Sequence, residues 1–308
     1  MSAEWLRDLL FSITTTLNVD HQTFRTVLTV LLVCTLCGMV GSQVVGNRMA
    51  FFSDTMAHAA FAGVALGYLT VLACQIPRQL APGEPNPIAD LIVLLVMVFF
   101  GAAVGVAIVW IRERTGLAND TVIGVFFAAA IGFGAMLFKV LQTRAGFNPE
   151  QFLFGSPVFV FEEDLLNLFV VGLITAGIIC WRYNQMVFAS FHTSLARTRR
   201  INLRLNNYLF IVLLALVVNL AIKAVGALLV NALLVVPAAT ASTVSNNLRQ
   251  MFWLTIAYCV GAGLIGYAIS TAVDFGPSGT IVMVSVLFFF ASLVFVHFRG
   301  TTGRMGSR

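Results

Sequence analysis

The chain has 308 residues, of which 59% are hydrophobic and only 10% charged, and its mean hydropathy is +0.94. A soluble domain of this size carries roughly 25% charged residues, so the composition excludes a soluble globular protein and calls for an integral membrane protein. The net charge of +5 comes from 18 basic and 13 acidic residues spread through loops, which is topology information rather than a nucleic-acid footprint. Several apolar runs reach about 20 residues, the length that spans hydrocarbon as a helix. They lack the alternation of an outer-membrane barrel, so the expected class is all-α and polytopic. No GxxxxGK[ST] occurs, so the chain is expected to be non-catalytic, with any ATP hydrolysis supplied by another chain.

In chain order, residues 1–22 place Trp5, Leu6, Leu9, Leu10, Ile13 and Leu17 at helical spacing, with Glu4, Arg7 and Asp8 between them. This reads as an interfacial amphipathic segment rather than a signal peptide. A transmembrane domain over 23–298 follows, with spans predicted at 24–46, 50–73, 88–111, 120–141, 163–181, 207–222, 224–237, 251–273 and 279–298, and a tail at 299–308. The pair on either side of Lys223 reads as two helices or as one long or broken helix, which gives eight to nine spans. Segment 75–90 holds four prolines and is expected to be a loop, with Asp90 near a helix start. Asp120 has the look of an N-cap, and Glu162, Glu163 and Asp164 belong at a helix start, where acids complement the dipole. Loop 182–206 carries five arginines and is placed on the cytoplasmic side. Gly63 with Gly67, Gly101 with Gly105, and Gly261 to Gly266 mark close helix contacts. Cys34 and Cys37 form a CxxC inside an apolar span, where packing is the expected role.

Sorting the ionisable groups by depth leaves one pair well inside a hydrophobic run. In RMAFFSDTMAHAAFAGVALGYL (48–69), Asp54 and His58 lie one helical turn apart, on a face shared with Phe61 and Ala65. A carboxylate and an imidazole in hydrocarbon are costly, which points to ligand or proton chemistry; interhelical hydrogen bonding is the competing reading. Asn219 and Asn231 are also polar within spans; they could line a path or bond between helices, and packing is the expected role. Pro237 is expected to close a span.

The stretch 48–66 resembles the signature of the permease subunits of bacterial zinc/manganese/iron(II) ABC importers. DTVIGVFF (120–127), FLFGSP (152–157), AVGALLVNALLVVPAATA (224–241) and SGTIVMVSVLFF (278–289) are similar to further stretches of that family, in order, over roughly residues 25–298. The resemblance implies a bacterial plasma (inner) membrane protein and a pathway formed by two permeases, as homo- or heterodimer. It implies a cytoplasmic ATPase dimer as motor and an extracytoplasmic metal-binding protein that delivers cargo. Asp54 and His58 would then contact the passing ion, and no permanently bound cofactor is expected. A carboxylate and a neutral imidazole suit Mn, Zn or Fe(II). The resemblance also makes 182–206 the ATPase-coupling loop, with Phe191, Leu195, Ala196 and Arg197 in the docking segment. His192 and Arg200 depart there from the usual Asp and Gly.

Three rivals bear on this expectation. A permease for a metal chelate of siderophore or cobalamin type has no need of bare-ion ligands. An ATP-independent ion-coupled carrier would need more intramembrane carboxylates. An intramembrane zinc protease would need HExxH or a comparable cluster. Loading of an ion on this pair requires His58 neutral and Asp54 ionised, so uptake is expected to fall at acid pH. Uptake by the intact transporter that does not change with pH would rule out that chemistry.

Overall fold

The computed structural model describes residues 20–47, 49–77, 79–81, 84–145, 155, 157, 162–191 and 203–305. Among the described residues, nine helices carry the fold: α1 (His21–Gly46), α2 (Ala50–Ala73), α3 (Pro87–Thr115), α4 (Asn119–Ala145), α5 (Glu162–Phe191), α6 (Leu203–Val225), α7 (Ala227–Val244), α8 (Leu248–Val273) and α9 (Pro277–Met305). Eight are long and apolar enough to cross a membrane, and α5 adds a shorter apolar stretch at Leu165–Ile179. Between α2 and α3, β1 (Gln79–Ala81) pairs antiparallel with β2 (Glu84–Pro85). Residues 1–19, most of the expected interfacial segment, lie outside the described residues.

The ambiguity around Lys223 resolves into two helices. Gly226 breaks the chain with φ 92°, a conformation open to glycine and strained for other residues. Across this one-residue junction the partners change: α6 packs on α3, α5 and α2, whereas α7 packs on α1, α8 and α9. A Cβ built on Gly155 would come within 2.6 Å of the Gly226 Cα, and the Ser278 hydroxyl donates to the Gly155 carbonyl at 3.1 Å. Three separate stretches of chain thus meet at this corner.

Lipid tails are as apolar as leucine side chains, so helices associate here through close packing rather than water exclusion. The glycines supply it. Built Cβ atoms on Gly63 and Gly67 would each come within 2.9 Å of a Cα on α3, that of Met97 and that of Val93. One on Gly266 would come within 2.5 Å of the Ile281 Cα, joining α8 to α9, and one on Gly41 would collide with the Leu234 carbonyl oxygen, joining α1 to α7. Gly261 has only an ordinary contact, with Phe288.

Several sequence expectations are corrected. Loop 182–206 is partly helix, because no proline or glycine stops α5 before Phe191, and α6 already begins at Leu203. Arg182 Nη1 reaches Asn206 Oδ1 at 3.3 Å and ties those ends together. The tail from 299 likewise continues α9 as far as Met305. Asp120 is not the N-cap of α4. The Thr121 and Val122 amides donate to the Ala118 carbonyl, which puts Asp120 in the first helical turn. The cap geometry appears instead at α3, where the Ile88 amide donates to Asn86 Oδ1 at 3.1 Å ahead of Pro87.

Pro237 does not close a span; it sits inside α7, which continues to Val244. Without an N–H it leaves the Leu233 carbonyl unpaired along the helix. The Cys259 thiol on α8 donates to that oxygen at 3.6 Å. In hydrocarbon a proline is tolerated where a neighbouring helix re-satisfies the freed group, and here a thiol does so. Replacing Cys259 with Val is therefore expected to lower stability by ~1 kcal/mol or more, while Cys259→Ser keeps the donor. The loss should shrink in a Pro237→Ala background, where the helix makes its own bond, as measured by denaturant unfolding in detergent. An equal loss in both backgrounds would refute the pairing.

Candidate functional site

Asp54 and His58 stand one turn apart in the N-terminal half of α2, and both are half-buried. The partner of Asp54 comes from 177 residues along the chain: Asn231 Nδ2 donates to Asp54 Oδ1 at 2.8 Å. An ionised carboxylate only accepts hydrogen bonds, so the amide must present its nitrogen to Asp54. Its oxygen is then left over, and Asn231 Oδ1 is buried with no hydrogen-bond partner among the described residues. An orphaned buried carbonyl oxygen costs ~1–3 kcal/mol. Asn231 occupies the second turn of α7, five residues past the Gly226 break, so that break is what frees α7 to bring the amide to α2.

Among the described residues, the neighbour that His58 meets is a ring. Its imidazole meets Phe127 of α4 edge-on, with centroids 5.1 Å apart and planes at 84°. Farther along α2 the shared face closes. Phe61 stacks on Phe138 of α4 at 3.8 Å, and Ala65 is buried in a small cluster with Phe138 and Leu141. Of the residues on that face, Phe61 and Ala65 are thus packed against α4, whereas Asp54 and His58 are only half-buried. The opposite face, at Gly63 and Gly67, packs on α3 as expected.

Asn219 behaves as the packing residue expected: its Nδ2 donates to Ala215 of its own helix at 2.6 Å, and its side chain fills the space at Gly101. Asn231 is the one of the two that bonds between helices, and the sequence signal for it was a lone amide in an otherwise apolar run. Phe127 was signalled only as part of DTVIGVFF. Among the described residues, no group of three or more His, Cys, Asp and Glu could hold a metal, so Asp54 and His58 stand as a pair. Of the coupling residues, Phe191 ends α5, while Leu195, Ala196 and Arg197, with His192 and Arg200, lie outside the described residues. An apolar groove of ≈ 910 Å³ opens beside the Gly226 corner, lined by Leu228, Ile269, Phe275 and Met283 among others, and it offers no ionisable ligand.

A bundle of this kind, with one ionisable pair on an interior face, is the architecture of a polytopic membrane transport protein. Residues 20–296 match the ABC 3 transport family, and the chain belongs to it. It is 25% identical over 263 residues to the manganese transport system membrane protein MntC of Listeria innocua, covering 85% of this chain and 86% of that one. It is 26% identical over 272 residues to the manganese import system permease protein ScaB of Streptococcus parasanguinis, covering 88% and 90%. A Haemophilus influenzae relative, named as a probable iron transport system membrane protein, is 25% identical and covers 88% of this chain and 93% of its own. Among solved structures, PsaBC from Streptococcus pneumoniae in complex with a Fab superposes with a TM-score of 0.72 at 25% identity, covering 95% of each chain. The chain is an ABC-transporter permease of the metal-ion class, a multi-pass protein of the bacterial inner membrane.

Proposed function

We propose that this chain is the translocation subunit of an ATP-driven importer of bare divalent ions, Mn, Fe(II) or Zn, and that Asp54 and His58 are the pathway residues that contact the ion. The reading rests on one observation above the others: the carboxylate of Asp54 is held by an amide from a distant helix, on the face it shares with His58. A carboxylate oriented by a donor inside a bundle supports binding as its role. A carboxylate oxygen and an imidazole nitrogen suit these metals. One pair is too few for tight binding, and two copies of the site, one from each permease of a dimer, would supply four ligands around an ion that must also leave. The manganese and iron named for the relatives above support the cargo class. The chelate alternative is disfavoured, because a chelate brings its own ligands and would gain nothing from this pair.

ATP hydrolysis belongs to a separate cytoplasmic ATPase dimer in this reading, and capture and delivery belong to an extracytoplasmic metal-binding protein. The segment holding Phe191, Leu195, Ala196 and Arg197 docks on the ATPase.

Two measurements test the assignment. In the reconstituted complex, Asp54→Ala and His58→Ala are each expected to reduce metal uptake by about 10-fold or more while the complex still assembles. Normal uptake by both variants removes the site. Leu195→Asp is expected to abolish transport-coupled stimulation of ATP hydrolysis without loss of membrane insertion, and unchanged coupling refutes the docking role.

A further inference from the structure

Asn231 is the one polar side chain described as touching the ionisable pair from another helix, and the proposed path leaves it unused. Its two ends are in different states. The nitrogen is committed to Asp54 at 2.8 Å, and the oxygen is buried without a donor. Swapping the two would set oxygen against carboxylate oxygen, so the orientation follows from the chemistry of the partner. Other buried amides are also incompletely bonded, Asn219 Oδ1 among them, but that side chain packs against Gly101 and its nitrogen bonds its own helix. Among the described residues, only at Asn231 does the orphaned oxygen belong to a group already hydrogen-bonded to a candidate metal ligand.

We infer that Asn231 sets metal preference in the path: its N–H holds the Asp54 carboxylate in place, and its carbonyl oxygen supplies an additional oxygen ligand to the passing ion. The inference rests on the pathway reading of Asp54 and His58. Asp54 and His58 alone offer one oxygen-donor and one nitrogen-donor group. Adding an amide oxygen moves the set toward carboxylate and carbonyl donors, which favour Mn, and away from the nitrogen-rich sets that favour Zn. An amide carbonyl is neutral, so it adds a ligand without adding a charge that would retain the ion. The ordering of Asp54 by Asn231 is the outer-shell effect seen around metal ligands generally, where losing such a partner weakens metal handling about 10- to 100-fold.

The test uses the complete transporter, with its ATPase and binding protein, in proteoliposomes, and measures initial uptake of radiolabelled Mn(II) and Zn(II) separately. Asn231→Leu keeps the approximate shape and removes both the donor and the oxygen. It is expected to lower Mn(II) uptake about 10-fold and Zn(II) uptake less, so the Mn:Zn ratio falls. Asn231→Asp keeps an oxygen and loses the N–H; total uptake is expected to fall while the Mn:Zn ratio stays at or above that of wild type. An equal loss of both metals in Asn231→Leu marks a structural role and overturns the inference, as does an unchanged ratio. If Asn231→Leu fails to assemble, Asn231→Asp decides, and a ratio that falls toward Zn overturns the inference. Asp54→Ala run in parallel separates the two layers. Normal uptake there removes the pathway reading itself, whereas lost uptake there with an unchanged ratio in Asn231→Leu removes only the role of Asn231.

Discussion

A carboxylate inside a hydrocarbon-spanning bundle must be given hydrogen-bond donors by the protein, because lipid offers none. At Asp54 the donor is Asn231, and much of the local architecture follows from bringing the two together. The amide rides on α7, and α7 can leave the company of α6 only because Gly226 takes a conformation that other residues adopt under strain. Once separated, α7 packs on α1, α8 and α9, and its second turn comes to lie against α2. One hydrogen bond therefore links the helix that carries the ionisable pair to the half of the bundle that α2 otherwise barely touches.

The stretches that mark the family in the sequence converge in space. RMAFFSDTMAH brings Asp54 and His58, DTVIGVFF brings Phe127 against the imidazole, and AVGALLVN brings Asn231 against the carboxylate. FLFGSP, AVGALL and SGT meet a second time at the Gly155–Gly226–Ser278 corner. Each motif read alone offers a few residues of modest specificity. Their shared destinations give the family match a physical basis, since residues far apart in sequence are constrained together at two places.

Much of this was legible in the sequence because it depends on local order. Span positions follow from apolar length, and Gly63 and Gly67 announce a close helix contact by their own spacing. Asp54 and His58 stand out because few other ionisable groups lie so deep in an apolar run. The rest depended on non-local facts. A proline reads as a helix end unless one knows that the Cys259 thiol on another helix can take the freed carbonyl. Phe61 and Ala65 share a face with Asp54, yet only the tilt and height of α4 decide that they are covered. Asn231 looked like Asn219, since both are single amides in apolar helices; what separates them is the neighbour each one meets. Helix ends past the bilayer were underestimated at α5 and α9 because hydropathy reports where lipid stops, while backbone hydrogen bonding stops only at a breaker or a cap.

The position of Asn231 is fixed by backbones more than by side chains. Five residues before it, Gly226 lies against Gly155; three residues after it, the Leu234 carbonyl is pressed by Gly41. Neither contact has room for a Cβ, so neither can slide without moving a main chain. Leucine-lined interfaces can re-pack by changing rotamers, whereas glycine contacts of this kind have no such freedom. The amide is thus clamped on both sides, and its bond to Asp54 inherits that rigidity. Any displacement of the Gly155–Gly226 corner is transmitted over about a turn and a half of helix to the carboxylate, because an α-helix is stiff over that length. Among the described residues the corner carries no ionisable group, but it is the mechanical reference from which the geometry of the ionisable pair is set.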